Sequence, residues 1–245
     1  MRTNTKNATG KKSPSAKASS GKSQDAPDRK FQNVQDQAYQ AIRSALLAGR
    51  YYPGDKLSIR QIAFSLGLSD TPVRESLLRL AAEGVISMEP YRSARVPLLD
   101  TTEIKELWMI RQLLEGRAAA EAATASTKDD MTELTGIELQ LDRARKAGDS
   151  ESIASLNSTF HLSLYRASRL NRLCTEIERL WLCAAPVMRL QMQNRRLGGE
   201  EGQGRHATIL KALRARDAAG LEAAVVNDIE LAGETIFDAL SQIEA

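Results

Sequence analysis

Between Ser58 and Gly84 two short helical periods are separated by only three residues, Gly67-Leu68-Ser69, and that spacing leaves few folds open. The first period places Ile59, Ile62, Ala63 and Leu66 together; the second places Val73, Leu77, Leu78 and Leu80/Ala81 together. Ser58, with Gln61 three residues on, is a capping-box pattern, and Gly67 stops the first helix. Ser69 is an N-cap candidate for the second. Pro72 sits in its first turn, where a missing N–H costs nothing, and Gly84 closes it. Two short helices around a glycine-containing turn are the signal of a helix-turn-helix.

The flanks extend the pattern. Val34, Ala38, Ile42 and Ala45/Leu46 share a helical face that ends at Gly49, and Tyr52-Pro53-Gly54-Asp55 is turn chemistry. Val85-Ile86-Ser87-Met88 and Ala94-Arg95-Val96-Pro97 enclose the polar turn Glu89-Pro90-Tyr91-Arg92, which predicts a small hairpin, a wing. Residues 33–99 therefore read as a winged helix-turn-helix domain. A helical core with an idle hairpin would show the same apolar pattern. Arg74 speaks for DNA, because it lies away from Leu77 and Leu80 near the helix start. There a side chain reaches base edges while the helix dipole faces phosphate.

Beyond Asp100 no strand pattern occurs. Helices are predicted over 102–124, 130–147, 151–168, 171–195, 201–216 and 218–243, with breaks at Gly148, Gly198-Gly199 and Asp217. Pro186 is expected to kink or divide the fourth of these. Aromatic residues are only 4% of the chain, so its cores must be built from Leu, Ile, Val and Ala, a mix that favours helix. The expected fold class is mainly α: the winged head, then a bundle of about six or seven helices over 101–243.

Residues 1–32 carry almost nothing large and apolar and read as a disordered basic tail. Net charge is +6 over 1–30, +1 over 31–100 and −4 over 101–245, so basic charge sits at the end assigned to DNA. A mobile basic tail adds non-specific attraction to phosphate, or is a solvated leader with no specific role. No apolar run approaches a membrane span and no signal peptide opens the chain. Cys174 and Cys183, nine apart without a CxxC pattern, read as buried reduced thiols of a cytosolic protein.

At this point a resemblance enters. Pro53-Gly54-Asp55-Lys56-Leu57-Ser58, Ile62-Ala63, Leu68-Ser69-Asp70-Thr71-Pro72-Val73-Arg74-Glu75-Ser76-Leu77 and Leu80-Ala81-Ala82-Glu83-Gly84 resemble the GntR family signature, in register without a gap. Glu106-Leu107-Trp108 through Ala119, Asn157 to Tyr165 around Phe160-His161, and His206 to Leu213 followed by Asp217 resemble the FCD effector-binding domain of the FadR-like subfamily. The resemblance implies a bacterial, cytoplasmic, homodimeric transcription regulator, expected to repress, with no enzymatic activity. It implies DNA contacts by Arg60, Ser69, Asp70, Thr71, Pro72, Arg74 and, at the wing tip, Arg92. Guanidinium can grip guanine bidentately and hydroxyls serve phosphate. Two departures stand out: Asp70 where many members carry a base-contacting arginine, and Ser93 in place of the usual wing glycine.

The chain has two histidines, and the resemblance puts both where FCD domains hold a divalent metal. The implied set is Asn157, His161, His206 and Asp228, with Zn²⁺, Ni²⁺ or Mn²⁺ suited by ligand type. Asn157 and His161, four apart on a helix, project from one face. Asn157 and Asp228 stand for an aspartate and a histidine of the family, so the site binds metal weakly or binds effector without it. Arg111 matches a pocket arginine and implies a small carboxylate effector; otherwise it pairs with Glu115 on a solvated face. Arg189 and Trp181 line the same pocket, or Trp181 is plain core. Two other readings remain: a metal-dependent enzyme acting on a small acid, and a DNA-binding dimer that ignores effectors. No HExxH and no nucleophile–base pair supports the first.

Overall fold

In the computed structural model residues 25–88, 93–193 and 200–244 are described, with side chains described over 33–88, 93–189 and 204–237. The head is built from α1 (Asp25–Leu47), β1 (Lys56–Leu57), α2 (Ile59–Leu66), α3 (Asp70–Ala82), β2 (Ser87–Met88) and β3 (Ala94–Arg95). Ser58 caps α2 by accepting from the Gln61 N–H, and Gly67 ends it at φ 65°, a left-handed position glycine adopts without strain. Ile42, Leu57, Val73, Leu77 and Leu80 meet in one buried core.

Two features of the head differ from the reading of the sequence. The wing is a three-stranded antiparallel sheet in the order β1-β3-β2, with Lys56 and Ser87 both opposite Arg95. A two-residue strand is too short to register as alternation. Also, α1 starts at Asp25, so residues 25–32 are helical rather than a disordered tail. Asp25 and Pro27 are helix-start chemistry, but no apolar period announces them. The rest of the tail, 1–24, lies outside the described residues.

The second half is all helix among the described residues: α4 (Thr101–Ala125), α5 (Lys128–Ala147), α6 (Ser150–Arg166), α7 (Asn171–Gln193), α8 (Glu200–Ala215) and α9 (Ala218–Glu244). Capping boxes start α4 (Asp100 with Glu103) and α5 (Thr127 with Asp130), and Asp217 accepts from the Gly220 N–H at the start of α9. Helices α4 and α9 pack closely because the contact carries small residues. A Cβ on Gly116 would lie 3.0 Å from Val226 Cγ2, and one on Gly233 would lie 2.7 Å from Trp108 Cδ1. Pro186 does not divide α7, which is one helix through it. Cys174 is buried and Cys183 half-buried, and both are free thiols.

Helix α7 belongs to both halves. Its Leu182 is part of the head's core, and Leu47 of α1 and Cys183 of α7 pack against both cores. Arg43 of α1 bonds Glu178 of α7 at 2.8 Å, and Arg179 donates to the Glu83 carbonyl at 3.3 Å. Tyr39 ties α1 to α3 by donating to Glu83 at 2.7 Å, under the Arg79 guanidinium at 3.8 Å. Burial and the Glu83 carboxylate push the Tyr39 hydroxyl up to about 12. No helix among the described residues is long and apolar enough to cross a membrane.

Candidate functional site

Two places merit attention. The first is the outer end of α3. Ser69, Asp70 and Thr71 are exposed there, Arg60 is exposed on α2, and Arg74 is half-buried one turn further along. Ser69 caps α3 by backbone position alone; its hydroxyl makes no cap hydrogen bond. The first N–H groups of α3 thus face outward beside a spare hydroxyl, an arrangement that suits phosphate. Pro72 departs from its neighbours. It is buried, and its carbonyl accepts from Ser76 at 2.7 Å, so its ring packs inward. Arg92 lies outside the described residues.

The second place is a cleft of about 800 Å³, its mouth included, between the bundle helices and the end of α1. His161 comes from α6, His206 from α8 and Asp228 from α9, and one donor atom of each lies within 4.8 Å of the others. His206 Nε2 is 3.2 Å from His161 Nε2, and His161 Nε2 is 3.3 Å from Asp228 Oδ2. The outward nitrogens are engaged elsewhere. His206 Nδ1 meets Glu138 Oε2 at 2.5 Å, and His161 Nδ1 meets the Tyr165 hydroxyl at 3.3 Å. Tyr165 gives its one proton to Glu115 Oε2 at 2.7 Å, so it accepts from His161. Glu138 is a carboxylate and accepts from His206. Both Nδ1 atoms then carry hydrogen, and both Nε2 atoms present bare lone pairs to one another beside a carboxylate.

Two lone pairs 3.2 Å apart repel unless a cation lies between them. On a tetrahedral ion with bonds of about 2.05 Å, neighbouring donors stand about 3.3 Å apart. The spacing and the donor set therefore fit a divalent metal. Asn157 lines the same cleft one helical turn before His161.

The surrounding charges hold the triad in shape. Burial alone would raise the Asp228 carboxyl. With the imidazoles protonated, the His161 hydrogen bond and charge, with Arg205 and His206, hold it well below the usual carboxylate range instead; with neutral rings Arg205 remains the cation beside it. Glu138 is likewise lowered against its burial, by His206 and by Arg145 at 2.7 Å. Burial lowers His206, which favours the neutral imidazole a metal needs.

Arg111 lines the cleft and also pairs with Glu115, at 2.7 Å. The pair sits on no solvated face: Arg111 is 2% exposed and Glu115 not at all. Glu115 also accepts from Trp181 Nε1 at 3.0 Å, and the Trp181 ring lies 5.3 Å from that of His161. Trp181 is thus both core and cleft wall. Arg189 lines the cleft at the end where Leu47 and Gly49 of the head close it. Sequence reasoning missed Glu115, Glu138, Arg145, Tyr165 and Arg205 as site residues, and missed Leu47 and Gly49. Two spacings were available signals, Arg111 with Glu115 and His161 with Tyr165, each four apart on one helix; Glu138, Arg145 and Arg205 reach the site only through the packing of α5 and α8.

Comparison with known proteins agrees with this architecture. The profile of the bacterial regulatory proteins of the gntR family matches residues 34–96, and that of the FCD domain matches residues 106–231. The HTH-type transcriptional regulator McbR of Escherichia coli K12 is 34% identical over 181 residues, 73% of this chain and 81% of the relative. The HTH-type transcriptional repressor RspR of the same strain is 26% identical over 206 residues, 84% of this chain and 90% of the relative. Among solved structures, E. coli McbR/YncC matches with a TM-score of 0.77 at 30% identity, covering 86% of this chain and 98% of that one. A putative transcriptional regulator GntR from Rhodococcus sp. RHA1 matches at 0.70 with 21% identity, covering 84% and 99%, a likeness of fold.

Proposed function

The chain belongs to the gntR family of bacterial regulatory proteins as a transcription regulator with a C-terminal FCD domain, and from that premise we propose that it is a metabolite-responsive repressor. In this reading residues 33–99 bind operator DNA in the bacterial cytoplasm, at the nucleoid. Residues 101–243 bind a small carboxylate through a divalent metal. The FCD domain supports a place in the FadR-like subfamily.

The observation that carries the effector half is the convergence of two bare imidazole nitrogens and a carboxylate in a cleft that also holds four arginines: Arg111, Arg145, Arg189 and Arg205. His161, His206 and Asp228 hold the ion, with Asn157 as a fourth ligand. Zn²⁺, Ni²⁺ or Mn²⁺ suits two nitrogens and oxygen donors. When bound, the ion supplies a Lewis-acidic centre for a carboxylate oxygen. Arg111 orients that group, with Glu115 holding the guanidinium in place. We read the triad as a ligand-binding centre, not a catalytic one.

At the DNA, Arg74 enters the major groove, Ser69 and Thr71 serve phosphate, and Arg60 and Arg92 flank them. Asp70 tunes operator preference by accepting from a cytosine amino group. A near-palindromic operator requires two heads, hence a homodimer. The exposed strip Met109, Ile110 and Leu113 on α4 supports a contact between copies there.

Metal analysis of the full chain purified without chelators, followed by thermal melting with small carboxylates, tests the reading. We expect a stoichiometric divalent ion that is lost in His161→Ala and His206→Ala, and acids that raise the melting temperature only of the metal-loaded protein. A wild-type protein that binds no divalent ion and is shifted by no carboxylate contradicts it.

A further inference from the structure

Three of the four cleft arginines already have a carboxylate partner: Arg111 has Glu115, Arg145 has Glu138 and Arg205 has Asp228. Arg189 has none among the described residues. Its Nε is buried and makes no hydrogen bond. Arg189 is half-buried, its guanidinium stays ionised, and the enclosed Nε–H has neither water nor an anion to bond. The cleft therefore holds an excess positive charge at one particular end.

That end belongs to the head. The Arg189 guanidinium lies over the Tyr52 ring, 5.3 Å from its centroid. Its Cδ sits 3.3 Å from where a Cβ on Gly49 would be. The opposite end is the triad, against which Trp181 packs. Trp181, Ala185, Met188 and Arg189 line the cleft from one face of α7. The eight residue steps from Trp181 to Arg189 span about 12 Å of helix axis. The apolar wall between the two ends is supplied by Ala185, Met188, Ile153 and Ala154.

We propose that the cleft takes a small dianion with an acid group at each end, one held at the triad and the other paired with Arg189, which is thereby the residue that reports occupancy to the head. The proposal rests on the carboxylate reading above and narrows it to a two-ended acid. Pairing draws the guanidinium from the Tyr52 ring. Tyr52 opens the turn in which its N–H bonds Asp55 at 2.8 Å, and Asp55 and Gly54 are hydrogen-bonded to Val96 beside the wing. Charge at the ligand's far end thus acts on the segment that leads into β1.

The test uses the metal-loaded full chain and the tryptophan fluorescence of Trp108 and Trp181. Succinate, glutarate and adipate are titrated against butyrate, pentanoate and hexanoate, acids of matched chain length. The best diacid should bind wild type at least about tenfold more tightly than its matched monoacid. In Arg189→Gln that preference should fall to within about twofold, with monoacid affinity unchanged, and Arg189→Lys should keep a reduced preference. Melting curves of each variant check folding. Equal binding of diacid and monoacid to wild type overturns the two-ended ligand and leaves the carboxylate reading standing. So does a preference that survives Arg189→Gln, or a lysine variant no better than glutamine. If neither kind of acid binds metal-loaded wild type, the carboxylate reading fails and takes this proposal with it.

Discussion

Glu115 is a fully buried carboxylate that accepts from Arg111, Tyr165 and Trp181, and through Tyr165 it fixes which nitrogen of His161 faces the cleft. Such outer partners set ligand orientation and basicity. Tyr165→Phe and Glu115→Gln should therefore weaken divalent-metal affinity by about ten- to a hundredfold, measured by competition with a chromophoric chelator. Unchanged affinity would show that the Tyr165 contact does not position His161. On the DNA side, Arg74→Ala should weaken specific operator binding by about 1–3 kcal/mol and relax preference at the base it faces. Equal binding by the variant in a gel-shift titration would remove α3 as the reader. These residues were accessible from the sequence at very different depths. His161, His206, Asp228 and Arg111, which share the cleft, were named because a resemblance pointed to them. Glu138 and Arg145 of α5 and Arg205 of α8 were not, since nothing in the sequence says that α5 and α8 face the helix carrying His161. Pro72 was grouped with exposed contacts from its position in a motif, whereas its ring is apolar and packs inward.

At the scale of elements, most boundaries could be read from apolar period and end chemistry. The six bundle helices begin and end within about two residues of expectation, and four of them have a marked start or stop: Asp100, Thr127, Asp149 and Asp217 as caps, Gly148 as a left-handed end. What failed were elements without an apolar signature: the two-residue strand β1 and the first eight residues of α1. Pro186 was expected to kink or divide its helix; α7 remains one helix, held by Leu182, Ala184 and Val187 buried around it. Packing between α4 and α9 gives a direct test. A Cβ on Gly233 would sit 2.7 Å from Trp108 Cδ1 and 3.0 Å from its Nε1, too close without displacement of the indole. Gly233→Ala should destabilise the protein by about 1–3 kcal/mol in denaturant unfolding, with the secondary structure retained. A neutral substitution would mean the indole has room to move.

The whole molecule is organised around α7, which contributes Leu182 to the head's core and Trp181, Met188 and Arg189 to the cleft. Residues of the head, Leu47 and Gly49, close the same cleft. On the proposed reading a ligand in this cleft would touch both halves at once, and no long relay would be needed for occupancy to be felt at the DNA. The sequence could not disclose this. Periodicity marks which face of a helix is buried but not which neighbour buries it, and the docking of head on bundle depends on pairs such as Arg43 with Glu178, far apart in the chain. By linkage, a ligand that favours one arrangement of head and bundle must change operator affinity by the same factor that operator changes ligand affinity. The most direct test is operator affinity of the metal-loaded full chain, read by fluorescence anisotropy at fixed salt, with and without a carboxylate that raises its melting temperature. The account predicts a shift in Kd of about tenfold or more, abolished in His161→Ala. An identical Kd in the two conditions, with the carboxylate demonstrably bound, would contradict it.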